Sequence, residues 1–320
     1  MDLFWIGILT FCVTYVLVPP VIALSWRIGA VDVPSDWRRM HSQSISRAGG
    51  MAIFASFLLG CAMLGEHTSF LMCAYGGGVL LFAVGLADDL FCLGAWSKLL
   101  FQIAVATAAV LGSGIASGAE NFLAIVWVLA LTNAHNFIDG LDGLFAGCAA
   151  IEGIGLCLVY AILGKGDLIA PPLLLALSCL AFRNFNRYPA QLFAGDCGSG
   201  TVGFLLGMLS LPLFFESGTA ALSPLFLFAY PLTDLVTAVA RRLLRGKNPF
   251  LADRGHLHHR ICAAGVTQVQ CGAILQLIGA ALGSIGVLIS VEQTYFLAGV
   301  CCLLTALLMM RIRRFIADFA

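Results

Sequence analysis

Ser69-Phe-Leu-Met-Cys-Ala-Tyr-Gly-Gly-Gly-Val-Leu-Leu-Phe-Ala-Val-Gly-Leu-Ala87-Asp88-Asp89 is the stretch on which the fold turns: an uncharged run closed by two adjacent carboxylates. A bilayer core about 30 Å thick takes about 20 mostly apolar residues per spanning helix, and this run has that length. Comparable runs cover residues 3–25, 49–64, 99–115, 122–137, 144–163, 168–181, 200–215, 222–240, 272–290 and 295–310. Of 320 residues, 60% are hydrophobic and 11% charged, with a mean hydropathy of +0.97. Soluble domains are roughly 45–50% apolar and about 25% charged, so this chain cannot build a water-facing surface. The expectation is an all-α polytopic membrane protein with about 11 transmembrane helices, forming a single integral membrane domain over residues 1–320. No basic residue precedes the first run and Arg27 follows it, which reads as a retained helix rather than a cleaved signal.

Cytoplasmic loops of membrane proteins retain Lys and Arg. Arg27, Arg38, Arg39 and Arg47 lie in the first loop and Lys98 in the third. Arg183 and Arg187 lie in the seventh, Arg241, Arg242, Arg245, Lys247, Arg254 and Arg260 in the ninth, and Arg311, Arg313 and Arg314 after the last run. Sixteen of the 17 basic residues thus share one face, with only Lys165 opposite. That places the N-terminus outside and the C-terminus in the cytoplasm, with cytoplasmic loops at about 26–48, 88–98, 138–143, 182–199 and 241–271. Glu66, Glu120, Asp167, Glu216 and Glu292 fall in or beside short external loops, which is how a net charge of zero conceals the asymmetry. Nothing here supports nucleic-acid binding. Twelve cysteines lie mostly in apolar runs, where free thiols act as small hydrophobes; no disulfide framework is expected.

Carboxylates near membrane depth are costly and usually functional. Asp88, Asp89, Asp139, Asp142 and Asp196 all fall on the cytoplasmic side, so the site belongs to that face. Asp88 and Asp89 taken alone also admit the reading of a solvated helix end, although a helix C-terminus disfavours acids. Asn133-Ala-His135-Asn136-Phe-Ile-Asp139-Gly-Leu-Asp142-Gly presents amide and carboxylate oxygens three apart, hard ligands that suit Mg²⁺, beyond what turns require. In Asn186-Arg-Tyr-Pro-Ala-Gln-Leu-Phe193-Ala-Gly195-Asp196-Cys-Gly198-Ser-Gly200, glycines precede a spanning helix. They either admit a pyrophosphate to free N–H groups at the helix N-terminus or permit close helix packing. Asp253-Arg254-Gly-His256-Leu-His258-His259-Arg260 gathers half the histidines beside arginines, which suits a phosphate-rich substrate better than zinc. Asp234 and Glu152 sit inside apolar runs as buried partners or as parts of the site.

Together these motifs resemble the polyprenyl-phosphate N-acetylhexosamine-1-phosphate transferase family (glycosyltransferase family 4), over about residues 32–260. The separated histidines look like its N-acetylhexosamine branch rather than the muramoyl-pentapeptide translocase branch. Asp32-Val-Pro34 and Arg47-Ala-Gly-Gly50 are similar to the family's first cytoplasmic loop. Departures are Val33 in place of Lys, Ser46 in place of Pro, and Cys92 in place of a third acid. The resemblance implies a bacterial inner-membrane enzyme that takes sugar 1-phosphate, GlcNAc-1-phosphate first among candidates, from a UDP-N-acetylhexosamine. The acceptor is undecaprenyl phosphate, the cofactor is Mg²⁺ with Mn²⁺ as a substitute, and a homodimer is an expectation by analogy. Asp196 with Asn136 would hold the metal, and Asp88 and Asp89 would order or deprotonate the attacking phosphate. Asp139 and Asp142 would shape the nucleotide pocket, Phe193 would stack on uracil with Asn186 nearby, Arg47 would meet the lipid phosphate, and Asp32, Asn133 and Asn136 would belong to the substrate-binding set. Arg254, His256, His258 and His259 would contact the sugar diphosphate. The rival reading is a polytopic transporter, whose acids should spread along a pathway rather than gather at one end of the helices.

Overall fold

The computed structural model describes residues 2–33, 44–65, 68–248 and 255–291, with 299 and 305. The apolar runs fold as α1 (Leu3–Ile28), α2 (Gly50–Leu64), α3 (Ser69–Phe91), α4 (Ala95–Ser113), α5 (Ala119–Ile138) and α6 (Leu144–Ile162). They continue as α7 (Ala170–Asn186), α8 (Asp196–Ser210), α9 (Ser223–Leu227), α10 (Ala229–Leu244), α11 (Leu257–Ala263) and α12 (Gln268–Ile289). Sequence punctuation sets several ends. Gly29, Gly65 and Gly114 close α1, α2 and α4 with left-handed backbone. Thr68 caps α3 through the Leu71 N–H, and Thr267 forms a reciprocal capping box with Gln270 at α12.

Eight helices among the described residues are long and apolar enough to span a membrane, which makes the protein an all-α polytopic membrane protein. α2 is a shorter apolar helix, and the run expected over 222–240 is two helices meeting at 63°. Pro231 accounts for that break, because its ring obstructs the carbonyl four residues back, at Leu227, where α9 ends. The run at 295–310 lies outside the described residues. Helices also overrun the expected loops: α3 continues to Phe91, and α8 begins at Asp196, not at Gly200.

α8 is the axis of the bundle. Of its spanning window 89% is buried, against 28% for α4, so α4 faces outward and α8 inward. It packs chiefly against α3 and α5. Small residues permit this approach, as they do between helices in lipid generally. A Cβ on Gly85 of α3 would stand 2.6 Å from the Asp196 carbonyl, and one on Gly203 of α8 2.5 Å from the Leu131 carbonyl. The packing reading of the motif glycines therefore holds at Gly198, whose added Cβ would meet Gly50 Cα at 2.8 Å.

Candidate active site

Loop one reaches the site by a backbone zipper. Val31–Asp32 (β1) pairs antiparallel with Ile45–Ser46 (β2), which places Asp32 opposite Ile45. Ser46 bridges to Leu192, the Phe193 N–H donates to the Ser46 carbonyl at 2.7 Å, and the Gly49 N–H donates back to Phe193. Arg47 is thereby carried over the start of α8. Gly195 is required at this crossing, since its φ is +71° and a Cβ there would lie 1.9 Å from the Arg47 carbonyl.

Three carboxylates and two cations then alternate. Lys98 Nζ lies 3.2 Å from Asp88 Oδ2 and 2.5 Å from Asp196 Oδ1; Arg47 Nη2 lies 3.4 Å from Asp196 Oδ2 and 3.0 Å from Asp89 Oδ1. The chain runs Asp88, Lys98, Asp196, Arg47, Asp89 and joins the ends of α3, α4 and α8 to loop one. Burial lowers the pKa of the Arg47 guanidinium, but Asp89, Asp196 and Asp88 more than reverse this and leave it raised. Asp139, the residue that follows α5, receives the Gly195 N–H; burial first, then Asp196 and Asp89, push its carboxyl well above the usual range.

The two adjacent acids have different surroundings. Asp89 has no exposed side-chain surface and accepts the N–H groups of Asp196 and Cys197, both at 3.0 Å. A carboxylate of the protein thus caps α8 and completes the helix-end anion site. The expectation that a pyrophosphate lodges on free N–H groups there is corrected on this ground. Asp88 keeps some exposure, pairs with Lys98 and shares a side-chain hydrogen bond with Asp196.

Asn136 Oδ1 accepts from Ser199 Oγ at 3.3 Å, and Ser199 also donates to the Gly195 carbonyl, so Asn136 borders the Asp196 turn. Asn133 points elsewhere, donating to Gln102 at 2.9 Å. Asn186 is buried with both ends of its amide engaged: Oδ1 accepts the Gly143 N–H and Nδ2 donates to the Leu192 carbonyl. Asp142 accepts the Ala190 N–H at 2.9 Å. These two residues clamp the 139–143 and 187–195 loops together, and Gln276 of α12 adds a bond to the Gly143 carbonyl at 2.8 Å. Phe193 is half-buried, and its backbone belongs to the zipper.

The histidine segment packs on the same stretch. Asp234 accepts from His256 Nδ1 and from the Leu257 N–H, each at 2.8 Å, and so fixes the entry to α11. Phe137 contacts the His256 ring at 5.0 Å, with the Arg242 guanidinium 5.4 Å from its centroid. His258 is buried, neither of its ring nitrogens has a hydrogen-bond partner among the described residues, and His259 lies 4.2 Å away. Burial, His259 and His256 hold its pKa down to about 3, with Asp234 opposing. Arg254 lies outside the described residues.

A divalent metal can be tested against these residues. No three His, Cys, Asp or Glu groups among the described residues converge in a ready cage. Yet Asp88 and Asp196 converge on the Lys98 ammonium, a stand-in cation, and hard carboxylate oxygens suit Mg²⁺. The donor chemistry fits.

A family model for glycosyl transferase family 4 matches residues 71–213. A probable undecaprenyl-phosphate N-acetylglucosaminyl 1-phosphate transferase of Bacillus subtilis (strain 168) is 33% identical over 287 residues, covering 83% of this chain and 79% of that protein. This chain belongs to glycosyl transferase family 4. Undecaprenyl-phosphate alpha-N-acetylglucosaminyl 1-phosphate transferases of the family are 32% identical in Escherichia coli (strain K12), over 84% of this chain and 78% of that protein. In Salmonella typhi the identity is 30%, over 91% of this chain and 84% of that protein. The family 4 match includes the acid pair, the Asn133 to Asp142 motif and Asp196.

Lys98 is the site residue that the sequence reading used only for topology. Its signal was present: it is the lone base in a loop that begins with two acids. Ser199 stands inside the quoted glycine motif but was given no role of its own there, and Gln276 carries no such signal, being a neutral residue in ordinary helical sequence.

Proposed function

We propose that this protein transfers N-acetylglucosamine 1-phosphate from a UDP-sugar to undecaprenyl phosphate, releasing UMP and leaving an undecaprenyl diphosphate sugar. The observation that carries the reading is the alternating chain of Asp88, Lys98, Asp196, Arg47 and Asp89 at one end of the helices. The names of the relatives support the undecaprenyl phosphate acceptor and the N-acetylglucosamine 1-phosphate group, and the UDP donor is what the motif resemblance implies. An oxygen of the lipid phosphate attacks the β-phosphorus; the bond from that phosphorus to the bridging oxygen breaks, and the oxygen leaves with UMP. Phosphoryl transfer of this kind depends on positioning and on neutralising charge.

Asp196, with Asp88 and Asn136 beside it, would hold Mg²⁺ or Mn²⁺, which when bound supplies charge neutralisation for the diphosphate. Arg47 and Lys98 bind and orient anionic oxygens. Asp88 is the acid left to order the attacking phosphate, and Asp89 holds Arg47 and α8 in place. Asp139 and Asp142 shape the nucleotide pocket, bordered by Phe193, while Asn186 acts by positioning. His256, His258, His259 and Arg254 meet the sugar diphosphate. The charge asymmetry of the loops supports a cytoplasmic site in a bacterial inner membrane, an external N-terminus and eleven spans in one domain over residues 1–320. A homodimer and a role at the first membrane step of a surface polysaccharide complete the reading. The test is to incubate purified protein with undecaprenyl phosphate and Mg²⁺, offer UDP-N-acetylhexosamines singly, and measure UMP with and without chelator. Lipid-dependent, chelator-sensitive UMP from the GlcNAc donor is the expected result; no UMP from any donor with folded protein would overturn the reading.

A further inference from the structure

One buried ionisable pair takes no part in the chemistry above. His135 of α5 has no exposed surface and Glu152 of α6 only 3%, and His135 Nε2 lies 2.6 Å from Glu152 Oε2. His135 Nδ1 lies 2.9 Å from the Leu131 carbonyl. A carbonyl only accepts, so Nδ1 carries a hydrogen. The pair therefore holds a single further proton between Nε2 and Oε2, and is neutral as a unit whichever atom carries it. Phe145 and Phe228 flank the ring, and Gly203 leaves it room, since a Cβ there would lie 3.0 Å from the His135 Cβ. Cys148, Cys179 and Tyr230 are within electrostatic range of Glu152 and are buried too.

A buried ion pair of this kind adds little stability compared with apolar residues of the same volume, so stability does not explain it. Position does. The last turns of α5 are held by polar contacts on three sides: Asn133 to Gln102 of α4, Asn136 to Ser199 of α8, and His135 to Glu152 of α6. Apolar packing against lipid-like neighbours leaves the rotation and depth of a spanning helix weakly specified, whereas directional polar contacts specify them. His135 is also the residue immediately before Asn136, and Asp139 follows the end of the same helix. We propose that His135 and Glu152 are positioning residues that set α5 in the register at which Asn136 and Asp139 border Asp196. The inference rests on the transferase reading for its catalytic consequence, but not for its structural one.

Glu152→Gln keeps a donor for a neutral Nε2, whereas Glu152→Met keeps the volume and loses the bond. In the transferase assay Glu152→Gln should stay within about threefold of wild type, while Glu152→Met and His135→Met each lose about tenfold or more in kcat. The double Met variant should lose no more than the worse single one, because one contact is removed in each case. Hydrogen exchange by mass spectrometry gives a readout without substrate: amides at 139–143 should exchange about tenfold faster in Glu152→Met and at the wild-type rate in Glu152→Gln. Unchanged exchange in Glu152→Met, or equal activity of the Met and Gln variants, would overturn the positioning role. If wild type releases no UMP, the transferase reading fails, and the exchange data still decide the register claim.

Discussion

Replacing Lys98 with Met removes one positive charge and keeps most of the side-chain length. The ammonium lies 2.5 Å from Asp196 and 3.2 Å from Asp88, with 18% of its side chain exposed. At an effective dielectric constant of about 20, charges at such separations attract by about 5–7 kcal/mol before desolvation is counted. Removing one partner of a buried pair costs about 3–5 kcal/mol net, and partial exposure puts Lys98 at the lower end. A loss of about 3 kcal/mol in charge stabilisation during transfer corresponds to about a hundredfold fall in kcat. Lys98→Arg restores charge with a flat, longer head group and should recover only part of the activity. The assay is UMP release at saturating donor and acceptor, on protein shown by size exclusion to be folded. A Lys98→Met enzyme within about threefold of wild type would refute the claim that the charge chain carries the chemistry.

Asp89→Asn and Asp88→Asn should separate. The first removes the charge that pairs with Arg47 and caps α8, lowering stability by about 2–4 kcal/mol in a melting assay; the second should leave melting near wild type while abolishing most UMP release. Asp234→Asn should lower kcat/KM by about tenfold or more, because a carboxylate that fixes a histidine tautomer is replaced by an amide that cannot. His258 has a pKa depressed to about 3 against an ordinary 6.5, so between those values the unfolded chain binds more protons than the folded one. Stability therefore falls as pH drops through that window, by about 2 kcal/mol between pH 7 and pH 5 from this residue. His258→Gln should flatten the melting temperature over that range, and an unchanged slope would count against the buried neutral imidazole.

The helices were legible because bilayer thickness sets a length that hydropathy reveals directly, as at 69–87. The motif acids were legible because charge at membrane depth needs a reason. What the sequence could not show was pairing across distance: Arg47 and Asp196 are 149 positions apart, and no periodicity links them. Asp89 looked like the twin of Asp88 and proved to be the cap of α8, which only a neighbouring helix end could disclose. Asn186 read as a substrate contact from its motif, yet both ends of its amide bond the protein's own backbone, at Gly143 and Leu192. The bend at Phe228 was missed because an apolar run gives no notice of a break, although Pro231 stood within it.

The same arithmetic explains why the cations and acids occur together. Three carboxylates this close would repel one another and take up protons if no positive charge lay among them. With Lys98 and Arg47 between them the acids can stay ionised near apolar surroundings, and the two cations are already stripped of much of their water. On the proposed reading, an arriving diphosphate finds donors that are fixed and partly desolvated before it binds. Charge then shifts along the transferring phosphoryl group without a matching rearrangement of the protein, which is where such sites gain most of their rate. The zipper from Ser46 to Phe193 belongs to that device, for without it Arg47 would lie on an open loop and the chain would end at Asp196.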